Sequence, residues 1–154
     1  MNSGGIKMNQ LQEQCAELNR LDKKMGELYH QFAIRLGISQ TAFWILYCLC
    51  ESGEIYTQNS LAELLCFPKQ TVNSAINNLI KEEYVYLRQM AAARNSKEVH
   101  LTEKGTAFCQ DTVVPLLNAE QKSFSRLTET ERQIFLALYE KQYLFFKEEL
   151  DGLS

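Results

Sequence analysis

The stretch TQNSLAELLCFPKQTVNSAINNLIKEEYVYLRQMAAARNSKEVHLTEKG, residues 57–105, decides the architecture of this chain. Thr57 can cap a short helix that carries Leu61, Leu64 and Leu65 on one face. A tight connection through Cys66 and Phe67 reaches Pro68, which suits the first turn of the next helix because its missing N–H is not needed there. That helix, PKQTVNSAINNLIKEE over 68–83, is expected to bury Val72, Ala75, Ile76, Leu79 and Ile80. Its other face presents Lys69, Gln70, Thr71, Asn73, Ser74, Asn77 and Lys81. Two strands follow: YVYLR (84–88) is β-branched and aromatic, and EVHL (98–101) alternates polar with apolar. The polar tip between them, 89–97, makes the pair a hairpin. Two short helices joined by a tight turn, with a hairpin directly after, form a winged helix-turn-helix.

Upstream, residues 9–36 place Leu11, Cys15, Leu18, Leu21, Met25, Leu28, Tyr29, Phe32 and Leu36 at helical steps. Gly37 ends that helix, and Ser39 caps the next, which runs through Trp44 to Cys50 and is apolar nearly all round. Ser52-Gly53 stops it, and Ile55 suits a very short strand. Downstream, Thr102 caps a helix containing Gly105, Phe108, Cys109 and Val113, with a kink expected at Pro115. Thr128 and Glu131 make a capping box for a final helix bearing Ile134, Phe135, Leu138, Tyr139, Phe145, Phe146 and Leu150. The predicted fold is mainly α with a small β-hairpin wing, with long N- and C-terminal dimerisation helices flanking the winged core. One domain spans 1–154: a core of about 38–102 and dimerisation helices of about 8–36 and 103–150. The terminal helices carry more apolar surface than one small chain can cover, so two copies are expected to bury them isologously as a homodimer.

Composition agrees with a globular chain: 45% hydrophobic and 23% charged over 154 residues. The longest apolar run, Ala42 to Cys50, is far short of the roughly 20 residues of a membrane span, and the first residues hold no apolar signal region. No membrane partner and a cytoplasmic location are therefore expected. Five cysteines, mostly among apolar neighbours, suit reduced thiols. The net charge is −3, yet 68–97 carries +3 (Lys69, Lys81, Arg88, Arg94 and Lys97 against Glu82 and Glu83), leaving −6 elsewhere. Such a segment suits a polyanion. Gln and Asn pair with base edges in the major groove, while Lys, Ser and Thr contact phosphates. Pattern alone leaves a solvated amphipathic helix beside an ordinary hairpin as the other reading.

TQNSLAELL, PKQTVNSAINNLIKEEYVYLR and NSKEVHLTEKG resemble the winged-helix core of MarR family regulators, with LTEKG (101–105) the most specific piece. The resemblance extends over the whole helical order. It implies a double-stranded DNA-binding transcriptional regulator, a homodimeric, ligand-responsive repressor on a pseudo-palindromic operator. Pro68, Lys69, Gln70, Thr71, Asn73, Ser74, Asn77 and Lys81 would meet the groove, and Arg88, Arg94 and Lys97 would act from the wing. Two departures stand out. Ala91, Ala92 and Ala93 precede Arg94 where many members brace an arginine with an aspartate, and Glu83 stands where a glycine usually follows the recognition helix.

The resemblance also implies an aromatic or phenolic effector in a crevice lined by Tyr29, Phe32, Trp44, Tyr47 and Cys48, against plain core packing. A rival mechanism is thiol-based redox sensing through Cys15, whose 21-residue spacing to the Leu36-Gly37 break resembles peroxide-sensing members. Tyr29 matches a tyrosine of those proteins, but Asn19 and Gln40 replace others. No enzyme is expected, and no cofactor or metal. The histidines are only His30 and His100, Cys48-x-Cys50 points its thiols to different helix faces, and no glycine-rich phosphate loop occurs. A helical protein-interaction module without DNA binding is the alternative from another class, favoured only by the alanine-rich wing tip.

Overall fold

A computed structural model describes residues 9–90, 93 and 96–153. The chain forms two compact units, one ending at Cys109 and the other beginning at Gln110. In the first, α1 (Gln10–Arg35) starts at a capping box in which the Asn9 side chain accepts from the Gln12 amide and Gln12 answers to the Asn9 amide. Gly37, at φ +70°, closes its end, with the Gly37 and Ile38 amides donating to the Ile34 and Ala33 carbonyls. Ser39 caps α2 (Gln40–Glu51) by accepting from the Ala42 amide. Ala42, Phe43, Ile45, Leu46 and Cys48 are buried, so α2 is the central helix expected from its composition.

The short strand is displaced by one residue from the expected Ile55. β1 is Tyr56–Thr57, with Tyr56 opposite Val99, and Ile55 is left exposed. Thr57 is also the cap of α3 (Gln58–Leu65), in a reciprocal box with Ser60. Cys66 turns the chain left-handed at φ +54°, and Pro68 precedes α4 (Lys69–Lys81) as its N-cap. Val72, Ala75, Ile76 and Leu79 of α4 are buried, as its periodicity predicts, while Ile80, also expected inside, is only half-buried because it lies in the last turn.

α4 stops at Lys81, two residues before the expected end. The reason is Glu83, which takes the left-handed conformation (φ +61°), so that its amide reaches Ile80 and the Tyr84 amide reaches Leu79. β2 (Val85–Gln89) and β3 (Lys97–Leu101) pair antiparallel with Leu87 opposite Val99 and Arg88 opposite Glu98, giving the sheet order β1-β3-β2. Each strand of the hairpin lies within a residue of its expected place.

α5 (Glu103–Asp111) is capped by Thr102, whose hydroxyl accepts from the Gly105 amide. The next break falls at Thr112 rather than at Pro115. Pro115 sits in the first turn of α6 (Val113–Phe124), where a missing N–H costs nothing. α7 (Glu129–Asp151) begins at the Thr128–Glu131 capping box and has no buried residue along its 23 positions. The Glu131 carboxyl is held below its usual range by the Thr128 amide and hydroxyl. Among the described residues, no single helix is long and apolar enough to cross a membrane.

Candidate nucleic-acid interface

α4 is built to bury one face and offer the other. Val72, Ala75, Ile76 and Leu79 anchor it, while Pro68, Lys69, Gln70, Thr71, Asn73, Ser74, Asn77 and Lys81 are all exposed. Every side chain expected on the open face is therefore on it. The first turns carry most of the set, where the positive end of the helix lies. Lys81, twelve residues after Lys69, stands about 18 Å farther along the axis.

Two grooves gather parts of this set. One, of about 390 Å³, runs between the start of α2 and α4, bringing Gln70, Thr71 and Ser74 together with Ser39 and Thr41. A smaller one, of about 60 Å³, joins Asn73 of α4 to Lys97 of the wing and to Gln58 and Asn59 at the start of α3. Sequence reasoning missed Ser39, Thr41, Gln58, Asn59 and Asn78. The signal was available in part, because a first-turn polar residue beside a cap can donate outward as readily as inward.

Arg88, expected to act from the base of the wing, is paired across the hairpin. Arg88 Nε and Nη2 both donate to Glu98 Oε2, at 2.9 and 2.7 Å. His100 Nε2 meets the same oxygen at 2.7 Å, and its ring stacks on Tyr86 at 5.5 Å. His100, then Arg88, holds the Glu98 carboxyl below the usual carboxylate range. At the base of the wing, then, an acid on the facing strand braces Arg88. Arg94 lies outside the described residues, as do Ala91 and Ala92. Lys97 is exposed at the start of β3.

LTEKG fastens the wing and α5 to the end of α4. The Thr102 hydroxyl donates to the Glu83 carbonyl, the Thr102 amide to the Tyr84 carbonyl, and Lys104 Nζ to the Glu82 carbonyl. Gly105 permits the approach, since a Cβ there would sit 1.9 Å from the Tyr84 oxygen.

The residues expected to line an effector crevice form one aromatic cluster. Tyr29 of α1 lies 4.8 Å from Trp44, Trp44 lies 5.1 Å from Tyr47, and Phe32 lies 5.9 Å from Phe43. Phe43, fully buried, is the hub that sequence reasoning left out. Cys48 is buried nearby, and burial pushes its thiol up to about 11. Cys15 is exposed on α1. Tyr29 follows it by fourteen positions, about 21 Å of helix, so the two do not meet within one chain.

No protein-family model and no curated protein sequence matches the chain. Solved structures do. A MarR family regulator from Neisseria meningitidis superposes with a TM-score of 0.77 at 19% identity, covering 96% of this chain and 100% of its own. A MarR transcriptional regulator from Methanosarcina mazei gives 0.60 at 25% identity over 90% and 98%. The S. aureus MepR–DNA complex gives 0.66 at 20% identity over 86% and 96%. With its three-stranded sheet, helix order and near-complete coverage by such structures, the chain has the winged-helix fold of the MarR family transcriptional regulators.

Proposed function

We propose that the chain is a sequence-specific, double-stranded DNA-binding transcriptional regulator, acting as a homodimer on a pseudo-palindromic operator. The observation that carries this reading is the open face of α4. Amide and hydroxyl side chains (Gln70, Thr71, Asn73, Ser74, Asn77) fill its first turns beside Lys69, while the opposite face is wholly apolar and buried. Amides match base edges, and hydroxyls with Lys69 match phosphates. Ser39 and Thr41 extend the phosphate-contacting rim, and Lys97 adds a cation beside Asn73. Pro68 sets the start of the reading helix, and Lys81, Arg88 and Arg94 serve the backbone at greater reach. That the S. aureus structure of the same fold was solved with DNA supports the assignment.

The chain acts as one functional domain, with the core of about 38–102 reading DNA and the helical ends pairing the copies. Such a regulator needs no enzyme activity and works in the compartment holding the DNA, expected to be the cytoplasm. Repression is relieved when an aromatic or phenolic effector enters the cluster of Tyr29, Phe32, Trp44, Tyr47 and Cys48. It acts only so far as it binds the two states of the dimer with different affinity.

Selection of bound fragments from random duplexes with the purified chain tests the reading. Recovered sites should be near-palindromic with half-sites about 34 Å apart. Gln70→Ala or Asn73→Ala should relax preference at one pair per half-site by about 1–3 kcal/mol. Lys69→Ala should weaken all duplexes alike and flatten the salt slope by about one unit. Retention of no duplex even at low salt would sink the proposal.

A further inference from the structure

The open face of α4 has a narrower composition than duplex binding alone requires. At about 100° per residue, Gln70, Ser74 and Asn77 project within about 30° of the direction opposite the buried Val72, Ala75, Ile76 and Leu79, and all three are exposed. Asn73 lies to one side of this crest, and Thr71 and Asn78 to the other. Each side has its own groove: Asn73 shares one with Lys97, Gln58 and Asn59, while Thr71 and Asn78 share the other with Ser39 and Thr41. The major groove admits one helix between two sugar-phosphate strands, so the flanking grooves suit the strands and the crest is left to base edges. We propose that this crest reads A·T pairs: Gln70 and Asn77 each take an adenine in the major groove, and Gln70 is a determinant of which base is chosen. Both contacts rest on the DNA-binding reading above.

Each base shows the major groove a different pattern. Guanine offers two acceptors, N7 and O6, which call for an arginine or lysine, and cytosine offers its N4 donor, which calls for a carboxylate. Adenine offers one acceptor, N7, and one donor, N6, which an amide matches with both of its own groups. Along Lys69–Lys81, α4 holds no arginine and no acidic residue. Its two lysines are badly placed for guanine. Lys69 lies about 100° round the helix from Gln70, and Lys81 stands about 17 Å beyond it, whereas a recognition helix meets bases through its N-terminal residues. Glu82 and Glu83 follow the end of the helix, and Arg88 of the wing is held by Glu98. The Ser74 hydroxyl can donate or accept, so in the first turns the amides are what tells one base from another.

In the contact so assigned, Gln70 Nε2 donates to adenine N7 and Gln70 Oε1 accepts from adenine N6, and Asn77 does the same through Nδ2 and Oδ1. The two residues stand about 10 Å apart along the helix, several times the base step of about 3.4 Å, so they address different pairs. Pro68 and Thr71 line the same groove as Gln70 and offer apolar atoms to the methyl group of the facing thymine.

The experiment selects random duplexes in parallel with the full chain and with Gln70→Arg, a substitution at an exposed position that touches no core residue. The unsubstituted chain should select A·T at two pairs in each half-site, about tenfold over G·C at each. Gln70→Arg should convert one of the two to G·C and leave the other. In the selected site, 7-deazaadenine at the Gln70 pair removes the N7 acceptor and leaves base pairing and the minor groove intact. It should weaken binding by the unsubstituted chain about tenfold and leave Gln70→Ala unaffected. The analogue is read with the unsubstituted chain, so it decides the matter even where Gln70→Arg does not fold. Half-sites dominated by G·C, a folded Gln70→Arg chain that selects the same site as its parent, or A·T sites indifferent to 7-deazaadenine would each overturn the adenine contacts while leaving DNA binding in place. Retention of no duplex by the unsubstituted chain at low salt would instead overturn the DNA-binding reading, and the adenine contacts with it.

Discussion

Cys66 and Glu83 hold φ at +54° and +61°, a region in which a Cβ costs about 1–2 kcal/mol. Each sits where a helix must stop at once so that the next element can begin. Glu83 → Gly should therefore stabilise the chain by about 0.5–1 kcal/mol, read as a higher urea midpoint at unchanged m. The lost contact with Lys104, 3.9 Å away with both side chains exposed, is worth almost nothing against that gain. Gly105 has the opposite sign. Its missing Cβ leaves room for the Tyr84 carbonyl, which also accepts from the Thr102 amide. Gly105→Ala must push backbone from backbone, and a loss of about 3 kcal/mol is expected in the same titration. A cost below about 1 kcal/mol would mean that α5 and the end of α4 are not held this closely.

The wing shows what an element adds to its residues. Spacing along its own strand gives Arg88 no partner, but antiparallel register sets Glu98 directly opposite, and cross-strand neighbours of opposite charge pair. The Glu98 carboxyl lies below its usual value through His100 and Arg88, so its ionised clasp persists below the ordinary carboxylate range and is lost only as pH falls through the lowered value. Glu98→Gln should release Arg88 toward phosphate and steepen the salt dependence of duplex binding by up to about one unit. An unchanged slope would show that Arg88 does not reach DNA. The caps Ser39, Thr57, Thr102 and Thr128 and the apolar periodicity were legible in sequence, since each cap acts through a residue three positions away. The end of α4 and the break at Thr112 were not, because a left-handed Glu83 and a helix restart two residues before Pro115 depend on what the chain packs against next. The grooves joining Ser39 to Gln70 and Asn73 to Lys97 were invisible for a similar reason: spacing within an element says nothing of which elements adjoin.

For the molecule as a whole, the apolar surface at its two ends remains to be covered. Leu18, Leu21, Met25 and Leu28 of α1 are exposed, as are Ile134, Phe135, Leu138, Tyr139, Phe145 and Phe146 of α7. Phe135 and Tyr139 stack with planes 7° apart and yet stand half open to solvent. Each large side chain so buried contributes about 1.5–3 kcal/mol, so several suffice to offset the cost of association. A second copy of the chain is the partner proposed here, because it would also repeat α4 across a two-fold axis for the reading of DNA. Leu138→Glu with Phe146→Glu should convert the dimer to monomer in sedimentation equilibrium while far-UV circular dichroism stays helical. The same variant should bind a full operator no more tightly than a half-site, since the gain from a second, tethered recognition helix is lost. A chain that is monomeric before substitution, or a charged variant that remains dimeric with full operator affinity, would remove α7 from the interface and leave its open aromatic face to another partner.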